Sequence, residues 1–112
     1  MATLTLLVLR CGDLEASRSF YSALGLVLTT EQHGSGPVHY SCQLGATVLE
    51  LYPAQSTTTA TRLGVALESV VDALETLRSL GARIDREPSP ESASCVVRDA
   101  DGNAVELTQL TD

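Results

Sequence analysis

A chain of 112 residues is long enough for one compact domain and too short for two ordinary ones. Hydrophobic residues make up 44%, so a core forms without disulfide or metal staples, and no apolar run is long enough to span a bilayer. The formal charge is −7, from fourteen acids against seven arginines with no lysine, which excludes a basic phosphate-binding face and with it nucleic acid as a partner.

Residues 4–9 form a nearly unbroken apolar run that suits a strand buried on both faces. This opening lacks the basic stretch and small-residue cleavage site of a secretory signal, so it reads as the first strand of a cytoplasmic protein. Asp13 offers an N-cap, and Leu14, Phe20, Tyr21 and Leu24 share one helical face. Gly25 suits the position just past a helix end, which predicts a helix over 14–24. Strand-like runs follow at 26–31, 39–44 and 47–52. The loop between the first two holds Gly34, Gly36 and Pro37, which cannot continue a central strand, and Gly45 turns the chain before the third. Residues 54–60, rich in Ser, Thr and Ala, read as a linker.

The pattern then repeats. A short apolar strand at 63–67 leads to Ser69 and Asp72, spaced as a helix-capping pair. Val70, Ala73, Leu74, Leu77 and Leu80 follow at helical spacing, ended by Gly81. Weaker strands are expected at 83–85 and 94–98, a tight turn at Asp101-Gly102, and a last strand at 103–107. Leu14 and Val70, Gly25 and Gly81, and Glu50 and Glu106 are each 56 residues apart. Three matches at one offset, each in the same local context, indicate a duplicated unit: module one over 1–53 and module two over 61–112, in a single domain.

The odd count of three cysteines and the absence of a C-x-x-C pair argue against a disulfide framework or a zinc knuckle. Cys42 and Cys95 lie in apolar runs and are expected to be buried; Cys11, at a strand end, is a candidate reactive thiol. Strand alternation assigns faces to the polar residues. Leu49 and Leu51 oppose Val48, Glu50 and Tyr52, and Val105 and Leu107 oppose Glu106. The purely apolar faces belong under the helices, so both glutamates project the other way. A carboxylate inside a strand is costly to bury unless it is paired, hydrogen-bonded or metal-bound, which makes Glu50 and Glu106 the most informative positions. His39 shares a face with Ser41 and Gln43, opposite Tyr40, Cys42 and Leu44. It is either an acid–base group or metal ligand beside Glu50, or a histidine that bonds the hairpin backbone. His33 reads as a solvent-exposed loop residue. With no Trp, one Phe and three Tyr, stacking platforms are few; Tyr40 and Tyr52 are the candidates.

The segment Leu9-Arg10-Cys11-Gly12-Asp13-Leu14-Glu15-Ala16-Ser17-Arg18-Ser19-Phe20-Tyr21, with Leu24-Gly25-Leu26 soon after, resembles the opening of a vicinal oxygen chelate domain, the glyoxalase, bleomycin-resistance and dioxygenase superfamily. The segment Asp99-Ala100-Asp101-Gly102-Asn103-Ala104-Val105-Glu106-Leu107 resembles that family's closing hairpin, and residues 45–52 resemble its fourth strand. The resemblance implies an α+β fold of two βαβββ modules, forming an open barrel around a ligand-binding cleft, commonly in a homodimer. In metal-dependent relatives the strand glutamates hold a divalent ion, together with His or Gln on the first strand of each unit. The matching positions here are Leu6 and Arg62, again 56 apart. Leucine has no donor atom and arginine stays protonated, so the usual metal centre is expected to be absent. Arg62 reads instead as a counter-ion for Glu50 or Glu106, either structural or poised for a ligand's carboxylate or phosphate.

The leading reading is therefore a small-molecule-binding protein of the bleomycin-resistance type, with no cofactor. Its cleft would be lined by Glu50, Arg62, Glu106, His39, Tyr40 and Tyr52, and its acidity would suit a cationic or aromatic ligand. The alternative is a divalent-metal-dependent enzyme, a glyoxalase-like lyase or isomerase or a dioxygenase-like protein. There the metal would sit on Glu50, Glu106 and an atypical His39 or His33, with Glu50, Glu106 and His39 as candidate catalytic residues. A metal-free enzyme with a glutamate base and Arg62 as oxyanion partner is a third.

Overall fold

The computed structural model describes residues 1–56 and 60–111; residues 57–59 of the expected linker lie outside the described residues. Two side-chain oxygens start the helices. Asp13 accepts from the Ala16 amide at 3.0 Å and opens α1 (Leu14–Ala23); Ser69 accepts from the Asp72 amide at 3.1 Å and opens α2 (Val70–Ser79). Gly25 and Gly81 stop them with φ of 93° and 77°, backbone that a side chain disfavours. Both helices thus lie where the capping residues place them.

The strands are β1 (Leu6–Cys11), β2 (Thr29–Glu31), β3 (His39–Leu44), β4 (Thr47–Pro53), β5 (Arg62–Leu67), β6 (Arg83–Arg86), β7 (Cys95–Arg98) and β8 (Ala104–Gln109). They form two four-stranded sheets, ordered β1-β4-β3-β2 and β5-β8-β7-β6, not closed into a barrel. β1 pairs parallel to β4 and β5 parallel to β8, and the remaining pairs are antiparallel. The fold is the expected pair of βαβββ modules, and β1 with β5 and α1 with α2 begin 56 residues apart.

Three local expectations are corrected. The first strand covers 6–11 rather than 4–9, and it is buried on one face only: Leu9 and Cys11 are buried while Leu6 is 50% exposed. β1 is an edge strand, and only one of its faces meets the helix layer. Residues 26–28 are not in a strand; Leu26 and Leu28 instead pack against the core. Cys11 does end β1, but it is not a reactive thiol. It is buried, its thiol donates weakly to the Leu9 carbonyl at 3.6 Å, and burial pushes its pKa up.

The helix-facing sides of both sheets share one hydrophobic cluster, which includes Leu49 and Leu51 from module one and Leu77 and Leu107 from module two. A buried carboxylate joins the halves. Asp99, in the β7–β8 turn, accepts four hydrogen bonds: from the amides of Asp101 and Asn103 at 2.9 Å each, from Asn103 Nδ2 at 2.7 Å, and from the Tyr21 hydroxyl of α1 at 2.6 Å. Asp101 beside it accepts from the Gly12 amide at 2.8 Å and the Ser17 hydroxyl at 3.4 Å. Asn103 Oδ1 accepts from the Thr61 amide at 2.6 Å, setting the start of β5.

Burial and the Asp99 carboxylate hold the Tyr21 phenol protonated well above its ordinary value. Removing the hydroxyl in Tyr21→Phe is expected to cost about 1.5–3 kcal/mol at neutral pH, the range for hydrogen bonds to charged groups, measured by urea unfolding. A raised pKa in the folded state stabilises fully below the unfolded value and is lost as pH rises above it. Wild-type stability should thus fall as pH rises above about 10, and less steeply in the variant. Burial likewise raises the thiol pKa of Cys42 and Cys95. Iodoacetamide at pH 8 is therefore expected to leave the native protein unlabelled while the urea-unfolded chain takes up three adducts by mass spectrometry; a native adduct on Cys11 would contradict the placement.

Candidate functional site

On β3 and β4 the residues turned away from the helices are His39, Ser41 and Gln43, and Val48, Glu50 and Tyr52. The ladder places Ser41 beside Glu50, and Glu31 of β2 directly opposite His39. Thr29, Glu31, Ser41, Gln43, Val48 and Glu50 line an open cavity of about 650 Å³.

His39 is the most constrained polar group on this face. Its side chain is 1% exposed, and its ring stacks on Tyr52 at 4.1 Å with 10° between the planes. Nδ1 donates to the Pro37 carbonyl at 3.2 Å. Nε2 lies 3.6 Å from the Glu31 carboxylate and 3.8 Å from that of Glu50, and it has no hydrogen-bond partner among the described residues. His33 is exposed, as expected, and its ring centroid stands 5.1 Å from that of His39. One donor atom each from Glu31, His33 and His39 lies within 4.8 Å of the others. Glu31 was not among the residues expected at a site. Its signal is proximity: an acid and both histidines of the chain fall within nine residues, spanning a hairpin whose strands must pair.

Tyr40 does not join this cluster. It alternates to the helix side, where it is 7% exposed, its hydroxyl donates to Glu15, and the Arg18 guanidinium lies 5.2 Å from its ring. Strand periodicity removes it from the face that carries His39, which corrects its expected place in the cleft. Tyr52 does lie on that face, with the Arg10 guanidinium 5.0 Å from its ring.

In module two, Glu106 is held by two arginines, Arg62 at 3.5 Å and Arg86 at 3.4 Å. Arg86, unexpected from the sequence, also donates to the Ser94 hydroxyl at 2.6 Å. Glu50 and Glu106 therefore belong to two different clusters, one on each sheet. In the ladders Ser41 lies beside Glu50 and Val96 beside Glu106, so the place of His39 falls in module two to Ser94, and no imidazole stands there. The family's usual metal centre does not fit these residues: Leu6 has no donor, and the guanidinium of Arg62 lies against the carboxylate that a cation would need. Between the modules a further cavity of about 780 Å³ is lined mainly by apolar side chains, among them Leu7, Tyr21, Leu49, Leu63 and Val65, with Arg62 at its margin.

No curated protein sequence matches the chain. Solved structures share its fold. An antibiotic-binding protein from Streptomyces sp. CB03234, TnmS3, superposes with a TM-score of 0.72 at 22% identity, covering 99% of this chain and 98% of that one. The trypanothione-dependent glyoxalase I of Leishmania major superposes with a TM-score of 0.72 at 24% identity, covering 97% and 87%. A lactoylglutathione lyase from Agrobacterium tumefaciens gives 0.66 at 18% identity, covering 97% and 94%. Two βαβββ modules, their glutamates at equivalent strand positions, and a family match over residues 3–107 lead to one conclusion: the chain belongs to the glyoxalase/bleomycin resistance protein/dioxygenase superfamily.

Proposed function

We propose that this protein binds a small organic molecule on the glutamate-bearing face of module one, without a metal at the family's usual centre. The same fold carries an antibiotic-binding protein and glyoxalases, so the choice rests on side chains. The observation that carries the reading is the state of Glu106. Two arginines neutralise it, and Leu6 and Arg62 stand where a metal-dependent relative needs donors. The alternative, a divalent-metal enzyme on Glu50, Glu106 and His39, requires Glu106 to leave both arginines and reach another sheet's cluster. The cavity beside Glu50, with Ser41 and Gln43 as neutral partners, suits a ligand with a cationic group. A second copy of the chain closes this open face in a homodimer, covering the half-exposed Leu6.

The test uses tag-free protein with chelator present. A panel of cationic and aromatic compounds is screened by thermal shift. At a tenfold excess over Kd a bound ligand is expected to contribute about 1.4 kcal/mol, several degrees in Tm, and Glu50→Gln should remove most of it. Light scattering should give twice the 11.8 kDa chain mass. Stoichiometric metal that survives purification and disappears in Glu106→Gln would overturn the reading.

A further inference from the structure

We infer that the hairpin joining β2 and β3 forms a binding site for a first-row divalent transition ion, held by Glu31, His33 and His39, with the Glu50 carboxylate in reach. Its three principal donors, Glu31, His33 and His39, lie outside the family's usual centre, which it touches only through Glu50, and it uses no residue of module two.

The argument starts at His39. A carbonyl oxygen only accepts, so the contact between Nδ1 and Pro37 places the ring proton on Nδ1. In the neutral ring, Nε2 then carries a lone pair. That atom is buried, has no hydrogen-bond partner among the described residues, and faces two carboxylates, Glu31 and Glu50. Lone pair against anions is repulsive, and a cation between them removes the conflict. Histidines that ligate metals commonly donate their other ring N–H to a backbone carbonyl, which fixes the tautomer and aims the free nitrogen. His39 has that outer bond already made, and stacking on Tyr52 locks the ring plane.

The spacings agree. Nε2 stands 3.6 Å from Glu31 and 3.8 Å from Glu50, beyond the usual hydrogen-bond range of about 3.2 Å. Ligand atoms about 2.0–2.2 Å from a shared ion lie roughly 3.3–3.6 Å apart at a tetrahedral angle, and further apart as the angle opens. The third donor comes from the loop. The Gly36 amide donates to the His33 carbonyl at 3.0 Å, and Gly34 takes φ 58°, closing a tight turn that holds His33 beside the hairpin end. Glu31 reaches in from the strand opposite His39. Two imidazoles with carboxylate oxygen select Zn²⁺, Co²⁺ or Ni²⁺ over Mg²⁺ or Ca²⁺, which prefer all-oxygen sites. His33 is exposed, so the ion enters from solvent on that side.

A proton on Nε2 would also relieve the buried lone pair, but it would involve only His39 and its two carboxylates. The test therefore turns on His33. Tag-free, chelator-stripped full-length protein is titrated with Co²⁺, read by its visible absorption, and with Zn²⁺ by calorimetry. One equivalent is expected, with Zn²⁺ displacing Co²⁺ and a large excess of Mg²⁺ leaving the cobalt bands unchanged. His33→Ala and Glu31→Gln should each weaken Zn²⁺ by at least about tenfold. Neither residue is in the core, so the Tm of both variants in chelator should match that of wild type; the buried His39 is left intact. Glu106→Gln should leave Zn²⁺ affinity unchanged. Absence of stoichiometric binding, or wild-type affinity in both His33→Ala and Glu31→Gln, would overturn the site. Loss of binding in Glu106→Gln would do so as well, and would also sink the proposed metal-free cleft, whereas loss of organic-ligand binding with the Zn²⁺ site intact would sink the cleft alone.

Discussion

One buried carboxylate ties the two halves of this protein together. Asp99 is 7% exposed, and every hydrogen bond it accepts is fixed by the turn around it or by Tyr21 of the other module. An anion at that depth is tolerable only when its lone pairs are occupied, so the turn, the carboxylate and α1 form or fail together. Asp101 extends the joint to the Gly12 backbone, where a Cβ would meet its Oδ1 at 3.2 Å. The consequence is directional. Because the joint lies on the helix side, the apolar faces of both sheets merge into one core, and the glutamate-bearing faces are left open.

The two open faces differ in their chemistry. Matching positions carry Leu6 and Arg62, and His39 and Ser94. In module two Arg62 and Arg86 both pair with Glu106 on an exposed face. In module one Glu50 meets a buried histidine with an unused nitrogen, backed by a second acid and flanked by a second histidine. The chemical potential of the molecule is thus concentrated in one repeat. An organic ligand bound beside Glu50 and an ion held at the hairpin would share a wall of the same cavity, since Glu31 and Glu50 both line it.

The repeat and the helices were legible in the sequence because their determinants are local. Asp13, Ser69, Gly25 and Gly81 act within a turn of their own position, and the 56-residue offset needs only counting. The orientation of Glu50 and Glu106 was legible for the same reason, since strand alternation is a property of neighbours. Tyr40 shows the rule in reverse: its own alternation puts it under α1, against its expected role in the cleft. Residues 26–28 and the first strand were misread because apolar character does not tell whether a pairing partner is present, and that is decided by the sheet order.

From the sequence alone came two βαβββ units, their caps, and the positions where the usual metal donors are missing, since spacing and residue type determine each of these. Tertiary structure alone decided which charges meet. Arg86 reaches Glu106 across the second sheet, Glu31 comes opposite His39 only when the hairpin closes, and Asp99 finds Tyr21 from 78 residues away. The reason is physical: ion pairs and hydrogen bonds depend on distances of a few ångströms, and chain separation says nothing about them until the core has packed.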